Sequence, residues 1–225
     1  MKTNIPERIA ALREAMKEKN IDAYIIPSSD PHLSEYPADR WKSREWISGF
    51  DGSAGTVVIT ADKAGLWTDS RYFLQAGIQL EGSGIELYKM ALPETPTIPD
   101  FLLHEMQNGQ TVGLDGQTYS VADAAQLERT LNRKGIKLEA SYDLIDLVWK
   151  DRPAIPGNPL FEMPVELSGK SVREKLDEIN LVTREKLTGI RVARAFGTEQ
   201  FEEQRFHRVN DEFMLNTIRM NSIMG

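Results

Sequence analysis

The run Ser48-Gly-Phe-Asp-Gly-Ser-Ala-Gly-Thr-Val-Val-Ile-Thr60, followed closely by Gly65-Leu-Trp-Thr-Asp-Ser-Arg-Tyr-Phe73, decides the fold. Glycine at 49, 52 and 55 marks a tight connection, and the β-branched residues 56–60 behind it mark a strand. A phosphate-binding loop would instead lead into a helix whose N-terminus faces the anion. The glycine run is therefore read as a turn before a strand. Gly65 to Thr68 is a second strand, joined to the first by a four-residue connection as a hairpin. Asp69 is either a catalytic carboxylate or the N-cap of a helix starting at Ser70, and the cap is favoured. Arg71 is left open between a bidentate site for a carboxylate or phosphate and an ion pair with Asp69 or Glu35.

Outward from this run the periods alternate. Ile5, Ile9, Leu12 and Met16 form one face of a helix that ends near Asn20. Ala23 to Pro27 is a buried strand. Trp41, Trp46, Ile47 and Phe50 predict a short amphipathic helix stopping at Gly49. Residues 70–81 predict a helix with Phe73, Leu74 and Ile78 inward, and Ile85 to Met90 a strand. Pro93, Pro96 and Pro99 mark a loop, Phe101 to Met106 a short helix, and Thr111 to Asp115 a strand. A helix over 120–134 carries Val121, Ala125 and Leu131 on one side and stops at Gly135. Lys137 to Ala140 is a strand, and Leu144 to Trp149 a last short helix. Interleaving of this kind predicts an α/β domain, a mixed β-sheet flanked by helices on both faces. The proline-rich stretch Asp151-Arg-Pro-Ala-Ile-Pro-Gly-Asn-Pro159 is the linker that closes it. His32 and Glu35 precede the glycine run in a turn-rich loop. No second ligand pair lies nearby, so a hydrogen-bonded loop histidine is favoured over a metal ligand.

Composition sets the outer limits. The 225 residues hold no cysteine, which removes disulfides and thiolate metal sites and suits a cytoplasmic setting. A formal charge of −7 argues against a nucleic-acid role. No stretch approaches 18 consecutive apolar residues, and no secretory h-region follows Met1, so neither a membrane span nor a signal peptide is expected. Residues 183–225 hold seven Lys/Arg and six Asp/Glu, whereas the rest of the chain is distinctly acidic.

Three blocks, taken in order and spacing, carry a resemblance: Tyr24-Ile-Ile-Pro-Ser-Ser-Asp-Pro-His-Leu-Ser-Glu-Tyr36, Gly49-Phe-Asp-Gly-Ser-Ala-Gly-Thr56 and Trp67-Thr-Asp-Ser-Arg-Tyr-Phe-Leu-Gln75. They resemble the N-terminal domain of the creatinase/prolidase superfamily, and most of all that of the three-domain cytosolic Xaa-Pro aminopeptidases. Asp146-Leu-Val-Trp-Lys-Asp-Arg-Pro153 is similar to the segment that ends that domain. The resemblance covers about residues 5–178. It implies a parent enzyme that removes an N-terminal residue preceding proline. It also implies two Mn²⁺ (or Zn²⁺) ions sharing a hydroxide, held by two Asp, one His and two Glu of a later pita-bread domain. None of the carboxylates here matches those positions, so no cofactor is expected on this chain and no turnover from it alone. The family implies that its N-terminal domain makes subunit contacts, hence a possible homodimer, and closes one rim of the cleft. Carried over, Arg71 faces substrate, Asp69 holds its turn, and His32 is the third substrate-adjacent residue.

A second resemblance begins near residue 180. Leu187-Thr-Gly-Ile-Arg-Val-Ala-Arg-Ala-Phe196 is similar to the cytoplasmic extension between the fourth and fifth membrane helices of an ABC exporter subunit. The expected organisation is residues 1–160 as the α/β domain and 161–179 as linker and first helix of a second domain. Residues 180–225 are then a helical tail, with helices about 182–197 and 199–220. The join reads either as a genuine fusion or as a recombination or cloning accident around 175–180. The accident is favoured, because an exporter loop without its membrane helices couples to nothing. Membrane contact follows only if the tail is genuine.

Overall fold

A computed structural model describes residues 5–159 and 164–171, together with positions 173, 174, 176, 177, 180, 181 and 184. The chain divides into two compact units, 1–157 and 158–225. The first holds six strands: β1 Ala23–Pro27, β2 Thr56–Thr60, β3 Ala64–Thr68, β4 Glu86–Lys89, β5 Thr111–Leu114 and β6 Lys137–Glu139. They form one sheet in the order β4-β3-β2-β1-β5-β6. Six helices accompany it: α1 Ile5–Glu18, α2 Ser43–Ser48, α3 Phe73–Gln79, α4 Ile98–Glu105, α5 Val121–Asn132 and α6 Leu144–Val148. The mixed sheet covered by helices is the architecture that the alternating periods predict.

The pleat of the central strands separates two cores. Tyr24 and Ile26 of β1, Val57 and Ile59 of β2, and Leu66 of β3 face one way. There they meet Ile9, Leu12 and Met16 of α1, Ile47 of α2, Ala76 of α3 and Leu144 of α6. Ala23, Ile25, Val58 and Trp67 face the other way, onto Phe101 and Leu102 of α4 and Leu127 and Leu131 of α5. Trp67 stacks on Tyr88 at 4.1 Å between ring centroids, and its indole N–H donates to the Pro96 carbonyl at 2.9 Å. Gly65 makes that stack possible, since a Cβ there would lie 2.6 Å from the Tyr88 ring.

Helix ends follow local chemistry. Asn20, at φ 55°, closes α1: the Ile21 amide donates to Met16 O at 2.9 Å and the Asn20 amide to Lys17 O at 3.1 Å. Gly49, at φ 73°, ends α2 where the sequence places the stop. Asp69, Thr97, Ser120 and Asp143 each accept a backbone N–H at the start of a helical segment.

Three expectations need correction. The helix expected over 70–81 opens with a 3-10 turn, Ser70–Tyr72, before α3. That turn shifts the helical phase. Ala76 and Leu80 go inward, while Leu74 is 79% and Ile78 66% exposed. Val121 stands exposed at the first turn of α5, whose inward pair is Leu127 and Leu131. Pro99 belongs to the first turn of α4 rather than to a loop, a position where its missing N–H costs nothing.

The proline-rich segment after α6 starts firmly fastened. Arg8 lies over Trp46 (4.4 Å), Trp46 stacks on Trp149 (5.1 Å), and Arg152 lies 5.8 Å from Trp149 and 5.7 Å from Trp41. The Arg152 side chain is 3% exposed and pairs with Asp143 and Asp146, while Arg40 donates to the Pro153 carbonyl at 3.1 Å.

In the second unit, Val165–Ser168 is a single helical turn ended by Gly169 at φ 75°. Ser171 and Glu174 cap one another, the hydroxyl accepting the Glu174 amide and the carboxylate accepting the Ser171 amide. The two helices expected over about 182–197 and 199–220 lie outside the described residues, Arg184 excepted. No helix among the described residues is long and apolar enough to cross a membrane.

Two substitutions test this packing. Gly65→Ala should destabilise the chain by about 1–3 kcal/mol through forced displacement of the Tyr88–Trp67 stack. Leu74→Ser should stay within about 0.5 kcal/mol of the parent. Urea unfolding followed by tryptophan fluorescence reads both, and a large loss in Leu74→Ser would restore the inward orientation.

Candidate functional site

Strand direction gathers the three motif blocks. β1 runs parallel to β5 and β5 to β6, while β2 is antiparallel to both β1 and β3, and β3 is parallel to β4. Five strands therefore end on the same side of the sheet, and β2 begins there. The segment after β1 (His32), the glycine run into β2 and the turn after β3 (Asp69, Arg71) all share this rim.

The glycine run is held by its carbonyls. Arg44 of α2 is 6% exposed, and its guanidinium donates to Ser28 Oγ at 2.8 Å and to the Phe50 and Gly52 carbonyls. Ser28 Oγ donates in turn to Gly55 O at 2.7 Å, and Thr68 Oγ1 to Ala54 O at 2.6 Å. A loop whose carbonyls converge on a buried cation is not a phosphate cradle, which agrees with the turn expected from the strand behind it. Burial pushes Arg44 down to about 10, which leaves it charged at neutral pH. Sequence reasoning passed over Arg44. Its signal was a charged residue three positions before the inward Ile47, directly ahead of the glycine run.

Beside the loop, Asp69 accepts the Arg71 amide at 3.0 Å and takes the guanidinium in a fork, Nε to Oδ1 at 2.9 Å and Nη2 to Oδ2 at 2.8 Å. Asp69 is thus the cap expected of it, and Arg71 pairs with Asp69 rather than with Glu35. The hydrogen bonds from Arg71 hold the Asp69 carboxyl below its ordinary value, and the same contact raises Arg71. The Arg71 side chain is 67% exposed, and its charge lies 5.2 Å from the Tyr72 ring centroid. The Tyr72 hydroxyl is 2.7 Å from Ser53 Oγ, so the second and third blocks touch.

The His32 block is ordered from beneath. Asp30 is 6% exposed, and its Oδ1 accepts the amides of His32 and Ser34, both at 2.9 Å. Leu33 is thrown into the left-handed region at φ 53°. His32 is exposed, and its ordered contact is through the backbone amide rather than the ring. The structure does not bring His32 into hydrogen-bonding contact with Asp69 or Arg71. Among the described residues no three or more His, Cys, Asp or Glu side chains gather as metal ligands.

The crevice between β1 and β5, whose following segments leave in opposite directions, is where open α/β sheets usually take ligands. Here it is closed by the Ser29 Oγ to Thr118 O bond at 2.7 Å, leaving a cavity of about 10 Å³ beside Tyr24, Asp115 and Asp143. That is room for one water. A groove of about 620 Å³ lies at the opposite end of the sheet beside Asn20, Asp22, Thr111 and Lys137, and it carries none of the motif residues.

A profile of the Creatinase/Prolidase N-terminal domain matches residues 8–148. The chain belongs to the creatinase/prolidase N-terminal domain family. A Coprinopsis cinerea protein described as a probable Xaa-Pro aminopeptidase P is 45% identical over 175 residues, 77% of this chain and 28% of that protein. One from Aspergillus fumigatus with the same description is 43% identical over 187 residues, 82% of this chain and 28% of that protein. The chain therefore spans a little over a quarter of these relatives. The solved X-prolyl aminopeptidase of Caenorhabditis elegans, described as a cytosolic enzyme with a di-nuclear active site, superposes with a TM-score of 0.69 at 32% identity. That match takes in 83% of this chain and 32% of the worm enzyme. The described residues of this creatinase/prolidase N-terminal domain offer no donor set of the kind such a centre needs, so no metal-assisted step is assigned to them.

The Asp30 anchor has a testable acid limit. Burial alone would raise this carboxyl, but the amides of Ser34 and His32 and the Ser34 hydroxyl outweigh it, and the net shift is downward. A folded value below the unfolded one (about 3.9) means the stabilisation is complete above that range. It is lost as pH falls through the depressed folded value. The protection of the His32 and Ser34 amides, taken relative to intrinsic exchange at each pH, should fall below about pH 4, ahead of the sheet. Asp30→Ala should abolish that pH dependence and cost about 1 kcal/mol, read by urea unfolding.

Proposed function

We propose that this chain is the non-catalytic N-terminal domain of a dinuclear-metal Xaa-Pro aminopeptidase, with its rim closing one side of a cleft supplied by the remainder of such a polypeptide. The observation that carries the reading is the meeting of the three motif blocks at one end of the sheet, with Arg71 forked onto Asp69 and exposed there. The fork uses Nε and Nη2 and leaves the Nη1 edge of Arg71 for a substrate carboxylate. Asp69 sets the direction of that edge. His32 is the third residue of the rim and stands apart from the pair.

Proline-containing peptides are the substrate class, because proline lacks an amide hydrogen and fixes its own φ, so a cleft for it differs from that of a general aminopeptidase. Mn²⁺ or Zn²⁺ would supply a hydroxide nucleophile within the parent enzyme's own ligand set. Those ligands belong to residues outside this chain. Cytoplasmic location is the setting this reading favours, in keeping with the cytosolic relative from C. elegans. A second reading, a self-associating interaction module, is favoured by Leu74 and Ile78, one helical turn apart and both exposed on α3. The exporter-like reading of residues 180–225, and any membrane contact with it, rests on the run from Asn180 to Phe206 and on Asn210, with Leu187 to Phe196 as its specific part.

Two measurements test the main reading. In a full-length relative, changing the arginine that matches Arg71 to Ala should lower kcat/KM on an Xaa-Pro peptide by about 10- to 100-fold, and unchanged kinetics would remove the role. The 225-residue chain incubated with Mn²⁺ should neither retain stoichiometric metal nor cleave that peptide. Stoichiometric manganese or zinc together with cleavage would overturn the assignment. Sizing chromatography of the chain against Ile78→Glu decides the self-association reading, which predicts a dimer only for the parent.

A further inference from the structure

Arg44 is buried, and unlike the equally buried Arg152 side chain, which pairs with Asp143 and Asp146, it makes no ion pair with a carboxylate among the described residues. Its hydrogen bonds reach Ser28 Oγ, Phe50 O and Gly52 O, and none of these is a carboxylate. Glu45 and Asp51 supply negative charge only through space, and a buried cation with no carboxylate in direct contact is costly and is tolerated where its donors meet several well-placed acceptors. Two of the acceptors, Phe50 O and Gly52 O, belong to one loop, and the third, Ser28 Oγ, stands directly after β1. The Arg44 guanidinium also lies 4.8 Å from the Phe50 ring centroid, so side chain and backbone of Phe50 close on the same group.

Peptide geometry then dictates what the outer face of the loop does. In a trans peptide the C=O and the following N–H point in opposite directions. Gly52 is buried with its carbonyl on Arg44, so the Ser53 amide is turned away from the guanidinium. Ser53 is exposed, and its hydroxyl meets Tyr72 OH at 2.7 Å. The Tyr72 ring is the one over which the Arg71 guanidinium lies, and it packs edge-on against Phe50 at 5.8 Å. Gly52 allows this approach, since a Cβ there would lie 2.3 Å from the Phe50 ring and 2.7 Å from the Tyr72 ring.

We propose that Arg44 is the positioning residue of the rim: by drawing the Phe50 and Gly52 carbonyls inward it presents Ser53 outward, and through the Ser53–Tyr72 hydrogen bond it fixes the ring beneath Arg71. Its value to substrate binding rests on the reading of Arg71 given above, but the geometric claim stands apart from it. Lysine cannot replace the group, because one ammonium lacks the planar fork that reaches two carbonyls and a hydroxyl together.

The test uses the whole chain and two variants, Arg44→Lys and Ser28→Ala, followed by residue-resolved amide hydrogen exchange and chemical shifts. In Arg44→Lys the amides of 51–55 should exchange about tenfold faster, while those of Ile25, Val58 and Leu66 stay within about threefold of the parent. The Ser53 amide and Tyr72 ring signals should shift in both variants, by less in Ser28→Ala, which removes one acceptor and keeps the guanidinium. If Arg44→Lys fails to fold, Ser28→Ala decides alone. Unmoved Ser53 and Tyr72 signals would overturn the proposal. So would equal loss of protection in loop and sheet, which is the behaviour of an ordinary core residue. Failure of the Arg71 kinetics in a full-length relative would leave these outcomes untouched, so the two ideas fail separately.

Discussion

β1 carries the two ladders that join β4-β3-β2 to β5-β6 in one sheet. On one side it pairs antiparallel with β2 across five residues, and on the other parallel with β5. Four of its side chains alternate between the two cores, Tyr24 and Ile26 toward α1 and α2, Ala23 and Ile25 toward α4 and α5. A one-residue slip of register would exchange these faces and empty both cores together. The same strand sets the geography of function. Its direction places the segment after it beside the entrance to β2 and the exit of β3, and that adjacency makes three separated sequence blocks into one rim. Tyr24 anchors the strand at depth. Its hydroxyl donates to Tyr142 O at 2.7 Å and accepts the Leu144 amide at 3.1 Å, and burial raises its pKa far above the ordinary value. Gly113 on β5 is bare because a Cβ there would lie 2.8 Å from that ring.

Much of this was legible in the order of residues, and the exceptions have physical causes. Ile5, Ile9, Leu12 and Met16 span a long helix with one apolar face, so periodicity alone places them in the core, where they are found. The glycine run and the β-branched residues behind it give turn and strand without any tertiary help. Leu74 and Ile78 resist the same reasoning. Seven residues of α3 are too few for a period to average, and the 3-10 turn ahead of it changes which side faces the sheet. Small Ala76, fully buried, shows that proximity to the sheet rather than apolarity decides which side is inward.

For the site, local chemistry was legible and long-range chemistry was not. The Asp69 cap depends on residues two apart, and spacing suffices to see it. The Arg44 contact depends on where a loop eight residues away returns, which only the sheet direction determines. Ser53 and Tyr72, 19 positions apart, meet for the same reason. The Asp30 anchor stands between these cases: its bonds are local, but its burial is a property of the assembled rim.

The choice of a cation beneath the glycine loop follows from what the loop must hide. Phe50 and Gly52 lie inside the fold, and their carbonyls would lack partners if an apolar side chain filled the space of Arg44. An unpaired buried carbonyl costs about 1–3 kcal/mol, so two of them outweigh the packing an isosteric apolar residue would contribute. A planar fork with several donors meets all the acceptors at once, and Ser28 extends its reach to Gly55. The rim is thus rigid for a reason set below it: the loop that displays Ser53 keeps its shape because its own backbone has nowhere else to place its carbonyl oxygens.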